Sequence, residues 1–179
     1  MQRAPLPVGW CWGTVDDLGT YVNGLPFKPS EWEATGRPII RIQNLTDSRK
    51  RFNRTSKKVH SDFLVVSGDI LVSWSATLDA FIWRGPEAIL NQHIFKVVPV
   101  RQLPNRTFLY WGLRHAIQQM SEGEHTHGTT MRHINRGPFL AHRFPLGADL
   151  LRRQKADRFQ QLGFGRAVRI DRGRVASPA

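Results

Sequence analysis

Cysteine is almost absent from this chain. Cys11 stands alone in 179 residues, which excludes an intrachain disulfide and a cysteine-based zinc site. It lies between Trp10 and Trp12, a setting for a small buried hydrophobe rather than a nucleophile. No apolar run approaches the ~18 residues a membrane-spanning helix needs. Met1-Gln2-Arg3-Ala4-Pro5 leads into no apolar stretch of the secretory kind. The expectation is a cytoplasmic protein with no membrane partner. Neither G-x-G-x-x-G nor G-x-x-x-x-G-K-[ST] occurs, so the chain has no glycine loop to cradle a nucleotide or a methyl donor.

Acidic residues are also scarce, 14 against 26 lysines and arginines. No Asp or Glu has a lysine two positions later, the pair with which common metal-dependent nucleases hold Mg²⁺ and orient water. Asp69 lacks such a second half and reads instead as part of a Ser67-Gly68-Asp69 turn. His125, His127 and His133, with Glu122 and Glu124 nearby, have a spacing that could converge on an ion. Without cysteine or a paired carboxylate this is the weaker reading, and no metal or catalytic residue is assigned.

What is present is basic charge, and it is localised. Seven basic residues between Arg41 and Lys58 face only Asp47, and eight more lie between Asp149 and Arg174. Outside those two stretches the chain is nearly neutral. A polyanion is the partner such a distribution suits, although a solvated basic loop would show the same pattern. Arg49, Lys50, Arg51, Arg54, Lys57 and Lys58 suit phosphate contacts, which fix position without reading sequence. Gln43, Asn44, Asn91, Gln92, Thr129, Thr130 and Arg132 carry the donors and acceptors that base edges require. Each of these also serves as an ordinary turn or cap residue.

With 40% hydrophobic residues, the chain can bury one sizeable core. Arg37–Ile42, Phe63–Val66, Ile70–Trp74, Phe81–Trp83 and Ile94–Pro99 read as strands, with a turn between the second and third. Trp10 and Trp12 are expected as core anchors, Tyr21–Pro29 as a turn-rich loop and 44–58 as a long polar excursion. Phe108, Leu109, Tyr110, Leu113, Ile117 and Met120 recur near helical spacing. A polar loop over 121–131 follows, then a short apolar segment, Phe139–Leu146. The class is α+β: a twisted, mostly antiparallel sheet with long loops and one packed helix, followed by a basic helical segment.

Several spaced segments together resemble one family. They are Leu6-Pro7-x-Gly9-Trp10-x-Trp12, Gly36-x-Pro38-x-x-Arg41-Ile42-x-Asn44-Leu45, Ser67-Gly68-Asp69-Ile70-Leu71-Val72-Ser73-Trp74-Ser75-Ala76-Thr77-Leu78 and Ile89-Leu90-Asn91-Gln92-His93-Ile94-Phe95-Lys96-Val97. Phe108-Leu109-Tyr110 and His127-Gly128-Thr129-Thr130-Met131-x-His133-Ile134 complete the set. In this order they resemble the target-recognition domain of type I restriction–modification specificity subunits. The resemblance implies a non-catalytic subunit that binds double-stranded DNA and pairs with a methyltransferase subunit and a restriction nuclease-translocase subunit. S-adenosylmethionine, ATP and Mg would then sit on those partners and none on this chain. It also places Ser73, Ser75, Thr77 and His127 among the base-reading candidates.

One recognition domain, residues 5–146, is expected where the usual specificity subunit has two. After Phe144-Pro145-Leu146 the family continues with a Pro-Pro segment and a Glu-Gln pair opening a spacer helix; here Gly147-Ala148-Asp149 follows. Residues 147–163 are therefore read as a partial or aberrant spacer helix and 164–179 as a disordered tail. Two readings stay open: a half-subunit that forms a homodimer, or a remnant truncated or frameshifted near residue 146 that binds DNA only nonspecifically. A metal-dependent endonuclease is the third and weakest.

Overall fold

A computed structural model describes residues 5–101, 103, 105–124 and 133–161. In chain order the elements are β1 (Trp10–Thr14), β2 (Gly19–Asn23), β3 (Arg37–Ile40), α1 (Ile42–Thr46), β4 (Asn53–Thr55), β5 (Leu64–Val65), β6 (Ile70–Ser73), β7 (Asp79–Ile82), β8 (Ala88–Leu90), β9 (Ile94–Pro99), α2 (Arg106–Glu124), α3 (Arg136–Ala141), β10 (Arg143–Gly147) and α4 (Ala148–Gln161). The fold is α+β and mostly antiparallel. The strands are distributed over three sheets: β1-β10, β2-β9-β6-β7 and β4-β3-β8-β5.

β6 organises the interior because both of its faces are covered. Side chains alternate along a strand, so Ile70 and Val72 enter one apolar cluster while Leu71 enters another. The first cluster lies under α2, whose Leu109, Leu113, Ala116 and Ile117 recur at helical spacing and are fully buried or nearly so. Burying each such leucine or isoleucine contributes about 1.5–3 kcal/mol. The second cluster, between the two four-stranded sheets, holds Ile40, Val65, Leu71, Trp83, Leu90 and Ile94. No helix among the described residues is long and apolar enough to cross a membrane.

Several sequence expectations need correction. The strands expected at Phe63–Val66 and Ile70–Trp74 are present, with the expected turn between them, but they join different sheets: β5 pairs with β8, and β6 with β7 and β9. The intervening turn has Gly68 at φ +95° and is held by Trp83, whose carbonyl accepts from Gly68 N–H at 2.8 Å and whose N–H donates to Asp69 O at 2.8 Å. Tyr21 lies on a strand rather than in a loop, its hydroxyl donating to Val15 O at 2.9 Å inside the first core. Trp10 is no core anchor: its exposure is 41%, and Trp12 is half-buried. The expected 44–58 excursion contains α1 and β4, and α2 runs through Glu124, past the expected start of the polar loop.

The one parallel pair of named strands among the described residues is β3–β8, with Ile39 opposite Ile89 and Ile40 opposite Leu90, and a parallel bridge between Leu25 and Asn91 lies just beyond it. The C-terminal ends of β3 and β8 therefore leave the sheet on the same side, and this arrangement builds the site.

Candidate nucleic-acid interface

At that end, backbone hydrogen bonds join segments far apart in sequence. Asn91 N–H donates to Ile40 O at 3.3 Å, Gln92 N–H to Leu25 O at 2.8 Å and Leu25 N–H to Leu90 O at 3.0 Å. Gly24 permits the close approach, since a Cβ there would overlap the Asn91 carbonyl. The loop after β6 joins the same group: Trp74 N–H donates to His93 O at 3.2 Å and Ile134 N–H to Trp74 O at 3.0 Å, while Ser75 pairs with His133. Trp74 is the centre of these contacts. Its ring packs on His93 at 4.7 Å and lies nearly parallel to Phe95 at 5.9 Å, with His133 at 6.4 Å, and its Nε1–H donates to Asn23 Oδ1 at 3.2 Å.

Two of the predicted base-reading segments thus meet, 73–77 and 91–92, and His133 and Ile134 join them. Within them Thr77 and Gln92 are exposed and Asn91 is half-buried. Ser73 and Ser75 are buried, and Ser73 Oγ donates to Ser75 O at 3.2 Å, so both side chains shape the loop from inside rather than face a ligand. His127, Thr129, Thr130 and Arg132 lie outside the described residues, as do His125 and the tail 164–179. Among the described residues no group of His, Cys, Asp or Glu could hold a metal ion. Asp69 Oδ2 accepts from Val66 N–H at 2.9 Å and closes its turn.

Asn44 also changes role. It is buried in α1, its Oδ1 accepting from Arg41 N–H at 3.1 Å and its Nδ2 donating to Lys50 O at 3.1 Å and Arg51 O at 3.3 Å. It is the anchor of the basic loop, not a reader of bases. Gln43, beside it on α1, is half-buried. Because Ile40 O binds Asn91 N–H, the start of α1 and the loop it anchors stand next to the Asn91–Gln92 turn.

The six phosphate candidates divide. Lys50, Arg51 and Lys58 are exposed and make no salt bridge. Arg49 is held in a two-pronged pair with Asp47, Nε at 2.9 Å and Nη2 at 3.1 Å, which draws the Asp47 carboxyl below its ordinary range and raises the guanidinium. Arg54 donates to Gly36 O at 2.9 Å. Lys57 meets Glu31 at 2.8 Å and lies over the Phe27 ring at 5.6 Å. β4 runs antiparallel to β3 with Thr55 opposite Arg37, so Lys57 and Lys58 follow the end of β4 that is away from Ile40. The basic run is thereby drawn out along the sheet edge, with Lys50 and Arg51 at the Asn91 end.

Sequence reasoning singled out neither Trp74 nor His93 as a site residue. A local signal existed: Asn91-Gln92-His93 is a polar tripeptide between two buried strands, the place where a turn must form.

The family model that matches this chain is described as the type I restriction modification DNA specificity domain and covers residues 7–149. No curated protein sequence matches the chain significantly. Among solved structures the chain is similar to the HsdS subunit from Thermoanaerobacter tengcongensis, with 20% identity and a TM-score of 0.59 over 89% of this chain and 39% of that one. It is also similar to a chain from a structure concerned with complex assembly and conformational transition of the type I R-M system, at 19% identity and a TM-score of 0.56, over 89% of this chain and 40% of that one. A third similar structure is the type I restriction-modification S subunit from M. genitalium, at 15% identity and a TM-score of 0.53, over 91% and 43% of the two chains. At such identities the likeness is one of fold, and the chain spans about two fifths of the length of those proteins.

Proposed function

The chain belongs to the family of type I restriction–modification DNA specificity domains, and from that premise we propose that it reads one short segment of duplex DNA through the loop cluster around Trp74. As a specificity domain it recognises DNA and is not a catalyst. Lys50 and Arg51 anchor neighbouring phosphates, while Gln92, Thr77, Asn91 and Gln43 stand where base edges would be read. His127, Thr129, Thr130 and Arg132 belong to the same reading through their position just before His133. Bound so, the domain directs a methyltransferase subunit and a nuclease-translocase subunit, which would carry S-adenosylmethionine, ATP and Mg, to the chosen site.

The observation that supports this most is convergence. Segments separated by up to about a hundred residues meet in one cluster with exposed polar side chains, beside a loop whose Lys50 and Arg51 are exposed and, among the described residues, make no salt bridge. Selection from randomised duplex DNA at near-physiological salt, with the full chain alone and with the host's modification methyltransferase subunit, is the test. The expected result is enrichment of a short sequence, or of two copies at fixed spacing if two chains assemble. Salt-sensitive binding without enrichment would reduce the surface to a nonspecific one.

A further inference from the structure

Among the described residues only two other than glycine have positive φ, Ala76 at 58° and His93 at 71°. Both belong to the loops that meet at Trp74. A side chain in this region of backbone space is strained, and such strain persists only where surrounding contacts hold it. Glycine would adopt the same turn freely, so what histidine adds at position 93 lies in what its ring touches. The ring packs at 4.7 Å on Trp74, tilted by 59°. Among the described residues its buried Nδ1 has no hydrogen-bond partner, and the contact its ring makes is packing on Trp74. The His93 carbonyl takes the Trp74 N–H, which makes the contact two-point.

We infer that His93 is a positioning residue for DNA sequence discrimination: by packing on Trp74 it sets where the Asn91–Gln92 tip stands relative to Thr77. This rests on the reading of the loop cluster as the DNA-reading surface. His93 acts through its neighbours, and its loss should alter which sequence is preferred and not how strongly phosphates are held, because Lys50 and Arg51 lie on a separate loop anchored by Asn44. Trp74 transmits the constraint further, to Asn23 through its Nε1–H and to the chain after His133 through its carbonyl.

The test compares wild type, H93G, H93N and H93F as full chains in three measurements. These are thermal unfolding, the affinity and salt slope for random-sequence duplex, and the affinity ratio between the sequence that wild type selects and random duplex. H93G keeps the backbone and removes the ring, so it should melt within a few degrees of wild type and hold random DNA with an unchanged salt slope. Its affinity ratio should fall by about tenfold or more, the scale of one mismatched base pair. H93F, which restores a ring against Trp74, should recover most of the ratio. Should H93G fail to fold, H93N, whose side chain tolerates this backbone, is read in the same way. An unchanged ratio in the ringless variants overturns the inference and leaves the DNA-reading surface standing. A parallel loss of melting temperature and of random-duplex affinity also overturns it, by showing general collapse. If wild type itself selects no sequence, the reading of the surface falls and the inference with it.

Discussion

The first and second halves of the basic run 49–58 look alike in sequence and differ in the fold. Arg49, Lys50 and Arg51 sit in a loop hung from the buried amide of Asn44, and two of the three project into solvent with no acidic partner in salt-bridge range. Arg54 and Lys57 lie against a strap, residues 27–36, that supplies Glu31, Glu33, the Phe27 ring and the Gly36 carbonyl. Glu33 also takes the N–H and hydroxyl of Ser56, at 3.0 and 2.6 Å. A cation already paired must give up that partner before it can bind a phosphate, so formal charge overstates what Lys57 offers, as it does Arg49, while Lys58 is exposed like Lys50 and Arg51. The availability of Lys57 is decided by a residue 26 positions away, and no window along the sequence contains that information.

The strongest way to break this contrast is Asn44→Ala. Removing the amide leaves the Arg41 N–H and the carbonyls of Lys50 and Arg51 without their partner, at a cost of about 2 kcal/mol. Thermal unfolding should fall by several degrees and phosphate binding should weaken with it; an unchanged melting temperature would remove Asn44 as the anchor. Next in size is a paired comparison of salt slopes on random duplex. Lys50→Ala with Arg51→Ala should lower the slope by about two, whereas Lys57→Ala should lower it by less than one. Equal reductions per residue would erase the distinction between the halves. The smallest effect concerns the strap itself. Glu31→Gln frees Lys57 and should tighten random-duplex binding a few-fold.

Acid titrates the same contacts. The Lys57 ammonium and the Lys28 N–H hold the Glu31 carboxyl below its ordinary 4.5, and the hydroxyl and N–H of Ser56 do the same for Glu33. A folded-state value below the unfolded one contributes stability that is complete above about 4.5 and is lost as pH falls through the depressed value. Melting curves of wild type and a Glu31→Gln, Glu33→Gln variant should therefore differ by a constant amount from pH 7 to 5 and converge below 4.5. Parallel curves throughout would show that the strap's carboxylates do not hold it.

Much of the fold is legible locally. Ile94–Pro99 reads as a strand and is one, because a short run of branched and aromatic residues that starts just after a turn has few alternatives. The helix over Phe108–Met120 is visible through the period of its buried face. Partner choice is not legible: Phe63–Val66 and Ile70–Trp74 read as strands joined by a Ser-Gly-Asp turn, but nothing local says that the two go to different sheets, with Trp83 bonded to the turn. The site divides along the same line. Gln92 and Thr77 are recognisable as polar residues in turns, and they are exposed. Asn44, Ser73 and Ser75 have the same chemistry in the sequence, but each is buried, Ser73 on a strand opposite Ile94, Ser75 paired with His133 and Asn44 bonded to the loop at Lys50 and Arg51. Their burial is a tertiary fact, and residue type alone could not separate exposed polar side chains from buried ones.

The β1–β10 pair sets Trp10 opposite Gly147 and Thr14 opposite Arg143. The chain thus enters and leaves this short antiparallel ladder at one doorway, although α4 beyond it still packs Leu151 into the first core. A pull that separated Trp10 from Gly147 would load that ladder from its open end, one bond after another, so the doorway would unzip before the loop cluster around Trp74 felt any tension.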